Sequence, residues 1–299
     1  MASHRPTSRK KRMLITGANG LLGRDIVRSF SGEYEILRTD REECDVTCAE
    51  ECMHVIGGFA PHVVVHCAAY TAVDRAESEE DAAIALNAGG TRNVGMACRA
   101  HGALLVTFGT DYVFDGTSER PYTESDPTGP LSAYGRSKLA AEEALREVAP
   151  DFLLLRTQWL FGAHGGNFLL SILKRAGRGE ELAVVSDQRG SPTYTRDLAD
   201  AVKRLLEAGA RGTFHFSNEG ETTFFDYASF LLANAGNPEA SLSPISTSNL
   251  SRETYPAPRP LYAVLSKKKY REATGVAPRC WEDAVLDFLR TERRKGEGS

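Results

Sequence analysis

Along the first half of this chain, short apolar runs alternate with stretches of helical periodicity. Met13 to Thr16 predicts a strand, followed by a glycine-rich turn and a helix from about Gly20 to Phe30. Tyr34 to Thr39 predicts a second strand, with a short acidic helix after it. A third covers Val63 to Cys67, where the continuous β-branched run points to burial on both faces. A helix over about Asp81 to Ala100 leads to a strand at Leu104 to Phe108. A loop rich in Gly, Pro, Ser and Thr then runs from Asp115 to Ser132, before a helix at Tyr134 to Val148 and a strand at Phe152 to Arg156. Strands alternating with helices predict an α/β fold built on a doubly wound parallel sheet.

After Arg156 the rhythm loosens. Strands are predicted at Leu182 to Val185 and Thr213 to Ser217, and helices at Phe168 to Arg178, Thr195 to Ala208, Thr223 to Ala235 and Trp281 to Arg293. A proline-rich stretch lies around Tyr255 to Pro260. This half predicts a smaller α/β substrate-binding domain over the carboxyl edge of the sheet, where open α/β sheets bind ligands. The expected division is 12–157 for a Rossmann-type NAD(P)-binding domain and 158–293 mainly for substrate. Part of 188–220 is expected to return to the first domain, and 1–11 and 294–299 to form flexible tails.

Composition narrows the function. With 299 residues, 41% hydrophobic and 25% charged, the chain reads as an ordinary soluble globular protein. Its net charge of −4 provides no general attraction to nucleic acid or an acidic membrane. No apolar run approaches the ~18 residues that span a bilayer. The basic start MASHRPTSRKKR lacks the apolar stretch and cleavage site of a secretory signal. Six cysteines at no framework spacing suit a reducing compartment, so a cytoplasmic protein is expected. Cys44, Cys48 and Cys52 recur every four residues, a helix-face stripe rather than a zinc ligand set, and no metal is predicted.

The candidate chemistry sits at two places. Thr16 to Gly23 sets Gly17, Gly20 and Gly23 between a strand and a helix, where glycine permits a tight turn and close approach to a pyrophosphate. The N-terminal N–H groups of that helix favour the anion. About twenty residues on, Asp40 suits a ribose 2′-hydroxyl and Arg41 a 2′-phosphate, leaving NADH and NADPH both open. Tyr134 and Lys138, four apart on a predicted helix, share one face. An ammonium beside the phenol is expected to lower its pKa and suit it to protonate an alkoxide. Thr110, at a strand end, could hydrogen-bond a carbonyl.

These segments carry a resemblance. Thr16-Gly-x-x-Gly-x-x-Gly23, His66 to Asp74 (HCAAYTAVD), Gly109 to Gly116 (GTDYVFDG), Pro130 to Lys138 (PLSAYGRSK) and Arg156 to Gly162 (RTQWLFG) resemble extended short-chain dehydrogenases, and more narrowly the dTDP-4-dehydrorhamnose reductase family. The resemblance implies that Gly20, Leu21 and Leu22 meet the cofactor pyrophosphate, with Asp40, Asp45 and Val46 around its adenosine half. It places Ala68, Ala69, Tyr70 and Thr71 toward the nicotinamide. Thr110 and Asp111 would meet the sugar, Trp159 would pack against it, Val73 and Tyr112 would be further wall residues, and Tyr134 would donate the proton. Asp111 could instead cap a turn, and Trp159 could be a domain-interface aromatic.

The implied reaction is reduction of the C4 keto group of dTDP-4-dehydro-L-rhamnose to dTDP-L-rhamnose, with a nucleotide sugar as partner. Related dehydratases usually follow Thr-Asp with Glu; Tyr112 stands here instead, which favours simple reduction. The alternatives are a reductase of another nucleotide 4-keto-6-deoxysugar and a dinucleotide-binding regulatory subunit like that of methionine adenosyltransferase. Asp187 to Thr193 (DQRGSPT) and Gly166 to Phe168 are further family-like segments. Some relatives bind Mg2+ through acidic side chains at a dimer contact. Here Arg196 stands at one such position and Asp25 at another, so metal is left out and a homodimer stays open.

Overall fold

The computed structural model describes residues 10–149 and 151–296. Strand β1 (Lys11–Thr16), helix α1 (Leu21–Phe30), strand β2 (Tyr34–Thr39), helix α2 (Ala49–Phe59) and strand β3 (Val63–His66) begin the chain. Short helices α3 (Val73–Ala76) and α4 (Glu80–Ile84) follow, then a π-helical stretch at Ala85–Gly89, α5 (Gly90–His101), β4 (Leu104–Thr110), α6 (Ala133–Val148) and β5 (Phe152–Thr157). The second half contains β6 (Leu160–Phe161), α7 (Phe168–Ala176), β7 (Leu182–Val185), β8 (Arg189–Gly190), β9 (Thr193–Tyr194) and α8 (Thr195–Glu207). It ends with β10 (Gly212–His215), β11 (Thr222–Thr223), α9 (Phe224–Ala235), β12 (Leu242–Ile245), α10 (Lys268–Thr274) and α11 (Trp281–Gly296).

Six strands form one parallel sheet in the order β2-β1-β3-β4-β5-β10. Helices cover both faces, which is why β3 is buried at all four positions. Side chains still alternate. Met13 and Ile15 pack with Ile26 and Phe30 of α1 and Leu198 and Val202 of α8, while Leu14 joins Ile56, Val94 and Leu145 on the other face. The strand order reverses between β1 and β3, and at that switch point a crevice opens beyond the carboxyl ends of the strands. A second core of aromatic residues, including Phe161, Tyr194, Tyr227, Trp281 and Phe288, forms among α7, α9 and α11.

The helix expected over 81–100 is interrupted. Asn87 is buried in the π-helical stretch, accepting from Tyr70 N at 2.8 Å and donating to Tyr70 O at 3.2 Å and Ser137 Oγ at 2.9 Å. A polar side chain drawn inward for these bonds explains why a regular helix does not continue. Helix α10 was not anticipated: its sequence KKYREAT offers one buried residue, Tyr270, too little to read as a periodic face. The expected tails are also shorter than proposed, because Lys11 already pairs with Tyr34 and α11 continues to Gly296. The rest of those expected tails, 1–9 and 297–299, lies outside the described residues. Among the described residues, no helix is long and apolar enough to cross a membrane.

Candidate active site

Between β1 and α1 the chain turns on Gly17, whose φ of 62° is left-handed. A Cβ there would lie 2.7 Å from Ala68 N, so the turn and the end of β3 can approach only as glycine permits. Gly20 caps α1 with no side chain over it, and the first turn holds no acid, leaving the helix N-terminus open to an anion. Gly23 has a different task. Its Cβ would stand 2.2 Å from Gly17 O and 2.8 Å from Ala18 Cα, so it brings helix against turn.

The crevice at this point has a volume of about 660 Å³. It is lined by Gly17, Gly20, Asp40, Arg41, Asp45, Val46, Ala68, Ala69 and Tyr70, all named from the sequence. The fold adds residues that sequence reasoning missed, among them Arg75 and Glu79, which sit around the short helices α3 and α4. Leu22 points into the core, Leu21 lies beside Gly162 and Gly165, and Thr71 is exposed outside the crevice.

At the far end of the crevice Asp40 has a structural bond as well: its Oδ2 accepts from Asn19 N at 3.0 Å in the glycine turn. Arg38 Nη2 donates to Asn19 Oδ1 at 2.7 Å, and Arg41 Nε lies 3.4 Å from Asp45 Oδ2. Two guanidiniums therefore flank this end, where the sequence drew attention to one. Thr47 donates to Asp45 through both N and Oγ1, which holds that carboxyl below its usual range.

Tyr134, Lys138 and Thr110 are placed by α6 and β4 and are not among the residues that line this crevice. Ser132 caps α6 by accepting from Gly135 N at 3.1 Å, which starts the helix so that Tyr134 falls in its first turn and Lys138 one turn on. Lys138 is 8% exposed, and its Nζ donates to Phe108 O at 2.7 Å. Burial pulls its pKa down to about 8, against the carboxylate of Glu142, which is itself gripped by Arg156 through two bonds of 2.9 and 2.7 Å. Tyr134 differs from expectation. Burial pushes its phenol up to about 12, and Asp111 adds to the rise, while the Thr110 hydroxyl works the other way. In this state the Lys138 ammonium bonds the Phe108 carbonyl, and the groups acting on the phenol are its burial, Thr110 and Asp111.

Thr110 closes β4 and donates to Asp111 Oδ1 at 3.0 Å. Asp111 is 1% exposed, its Oδ2 has no hydrogen-bond partner among the described residues, and burial raises its pKa to about 7. The Tyr112 ring stands edge-on to Tyr134 with centroids 5.5 Å apart. A phenol, a hydroxyl and an unsatisfied carboxyl thus gather at the carboxyl end of the sheet, an arrangement able to bind and protonate an oxygen.

Residues 11–294 match the family described as the RmlD substrate binding domain. The chain belongs to the RmlD family. It is 39% identical over 277 residues to the dTDP-4-keto-6-deoxy-D-glucose reductase of Streptomyces niveus, covering 92% of this chain and 95% of that protein. It is 39% identical over 286 residues to the dTDP-4-dehydrorhamnose reductase of Streptomyces griseus, covering 93% of each. Among solved structures, dTDP-4-dehydrorhamnose reductase from Bacillus anthracis in complex with NADP superposes with a TM-score of 0.90 at 36% identity, covering 94% of this chain and 99% of that one.

Within this RmlD-family chain, Trp159 adopts φ 47°, unusual for a residue with a side chain, and stacks on Phe224 at 3.7 Å. A Cβ on Gly190 would reach 2.7 Å from its ring, so the indole is wedged between the second-half segments. Val73 begins α3, beside the crevice loop. The residues do not fit a divalent cation at Asp25. Its Oδ2 accepts from Thr195 Oγ1 at 2.6 Å, and the Arg196 guanidinium stands 3.8 Å from Oδ1.

Proposed function

We propose that this protein reduces the C4 keto group of dTDP-4-dehydro-L-rhamnose to dTDP-L-rhamnose with NADPH or NADH. The observation that carries this reading is that Tyr134, beside Tyr112, and Thr110, bonded to Asp111, gather at the carboxyl end of β4, two strands along the sheet from β1 and its glycine turn. In this reading the α1 N-terminus and Gly17 and Gly20 receive the pyrophosphate, Asp40 to Val46 surround the adenosine half, and Ala68 to Tyr70 face the nicotinamide. When bound, the dihydronicotinamide supplies a hydride to the carbonyl carbon.

The protein's own residues manage the oxygen. Thr110 orients it by a hydrogen bond, Tyr134 gives it the phenolic proton, and solvent returns a proton to Tyr134. A phenol raised to about 12 is fully protonated at neutral pH and ready to donate. Lys138 keeps α6 docked on β4 through Phe108 and lends positive charge to the ribose side. Residues 12–157 hold the cofactor and 158–293 chiefly the sugar, with β10 returning to the sheet. Scattered cysteines and a nucleotide-sugar substrate support a cytoplasmic site of action. A homodimer is included in the proposal, to be checked by sedimentation velocity.

A second reading, reduction of a different 4-keto-6-deoxysugar nucleotide, is favoured by the likeness to the Streptomyces niveus enzyme. Loss of NADPH absorbance with a panel of ketosugar nucleotides separates the two. dTDP-4-dehydro-L-rhamnose should be turned over fastest, and Tyr134→Phe should bind NADPH yet lose about 10²–10⁴-fold in kcat. Cofactor binding without turnover of any ketosugar would leave a dinucleotide-binding regulatory protein instead.

A further inference from the structure

Strands β4 and β5 run parallel, and Thr110 opposite Thr157 is the last pair in their register. The residue that follows on each strand is polar and buried: Asp111 is 1% exposed and Gln158 3%. Both are short of partners. Asp111 Oδ1 accepts from the Thr110 hydroxyl at 3.0 Å, while its Oδ2 has no hydrogen-bond partner among the described residues. Gln158 is further from satisfied, because neither its Oε1 nor its Nε2 has one. Paired strands lie ~4.8 Å apart, so an unmet carboxyl and an unmet amide end neighbouring strands at the carboxyl edge of the sheet.

The chain around Gln158 is held on both sides. Thr157 before it donates Oγ1 to Thr193 Oγ1 at 3.2 Å. Trp159 after it takes the left-handed φ of 47°, a backbone state that costs a residue with a side chain. Amide and indole meet at one glycine of β8: a Cβ on Gly190 would lie 2.7 Å from Gln158 Oε1 and 2.7 Å from Trp159 Cε2. The tryptophan is partly exposed where the glutamine is not.

A buried amide without partners costs stability, and folding alone would be served better by Leu or Met at this position. Such a breach of the local rule marks a place where bonds are kept for a ligand. An amide offers a donor and an acceptor together, which is what a hydroxyl group needs. In a 4-keto-6-deoxyhexose C5 bears the methyl group, so the hydroxyl next to the ketone is the one on C3. We infer that Gln158 is a substrate-binding residue that determines specificity, its amide taking the C3 hydroxyl while Thr110, one strand over, holds the C4 oxygen. The Trp159 indole shifts to pack on the sugar ring and opens the way to the amide. The inference rests on the reductase reading above.

The test uses the full chain and NADPH, and compares dTDP-4-dehydro-L-rhamnose with its 3-deoxy analogue. The wild-type enzyme should show a kcat/KM about tenfold or more lower for the analogue, since a site built for a hydroxyl rejects a ligand without one. Gln158→Met, similar in shape but without the amide, should lose about the same factor on the hydroxylated sugar and treat the two sugars alike. Its dissociation constant for NADPH should stay at the wild-type value. Its Tm should be no lower than that of the wild type, because no bond within the protein is removed. A Gln158→Met enzyme that still prefers the hydroxylated sugar would overturn the inference, as would a lowered Tm with unchanged kcat/KM, the mark of a purely structural amide. If Gln158→Met fails to fold, Gln158→Ser, which removes the amide without adding bulk, takes its place in the same comparison. A wild-type enzyme inactive on every ketosugar would remove the reductase reading and the inference with it, whereas an active enzyme indifferent to the C3 hydroxyl removes the inference alone.

Discussion

Lys138 Nζ donates a hydrogen bond to the carbonyl of Phe108, and this bond of 2.7 Å ties helix α6, which carries Tyr134, to the strand that ends in Thr110. The charge is therefore a structural clamp before it is a catalytic one. Burial lowers the Lys138 pKa from 10.5 to about 8. Activity that needs the ammonium should fall as pH rises through about 8 in a kcat/KM profile, which reports the free enzyme. Stability moves oppositely: the folded state sheds the proton first, so it gains as pH climbs from about 8 toward 10.5. An alkaline limb above pH 10 would show that Lys138 is not the group observed.

Asp111 costs the folded protein stability for the sake of its position. Its pKa rises from 3.8 to about 7, so the folded state binds the extra proton and loses stability as pH increases between those values. Asp111→Asn should therefore be more stable than wild type at pH 8, by on the order of 1–3 kcal/mol, and nearly equal at pH 4. Its ketosugar KM should rise. Thermal unfolding at the two pH values, together with steady-state kinetics, checks both halves.

Gly23→Ala places a methyl 2.2 Å from Gly17 O, and backbone must give way. A loss of about 1–3 kcal/mol in stability is expected from such overpacking. Cofactor affinity should fall with it, since the displaced atoms are those of the phosphate turn; fluorescence titration with NADPH reads this directly.

Arg38 and Arg41 at the adenosine end predict a preference for NADPH. Replacing both with alanine should weaken NADPH about tenfold or more, on the scale of lost charged hydrogen bonds, and leave NADH little changed. Equal loss for both cofactors would assign the arginines to folding of the turn.

Glu142→Gln would strand Arg156, which is 3% exposed and faces that carboxylate with two bonds. Breaking one side of a buried pair costs about 3–5 kcal/mol, so chemical denaturation should show a large loss. A change below about 1 kcal/mol would mean that Arg146, also bonded to Glu142, or water makes good the charge.

Much of this architecture was legible because its signals are local. The strand at Val63 to His66 announced its burial by composition, and the glycines at 17, 20 and 23 announced a turn by spacing. The Tyr134 and Lys138 pair was placed correctly on one helix face, but its electrostatics were not. Spacing alone does not reveal that Phe108 O takes the ammonium or that burial raises the phenol. Asn87 and Arg38 were missed for the same reason. Asn87 acts through Ser137, distant in sequence, and Arg38 through Asn19, in a turn that only the fold brings across from it.

Strand β10 completes the main sheet only after the chain has passed through β6 to α8. A gene cut after residue 157 would leave β5 as a bare edge, its Leu153 to Arg156 pairing groups unmet by Gly212 to His215. Neither fragment would carry a finished hydrophobic interior, so the two halves should melt in a single transition and resist separation into independently expressed pieces.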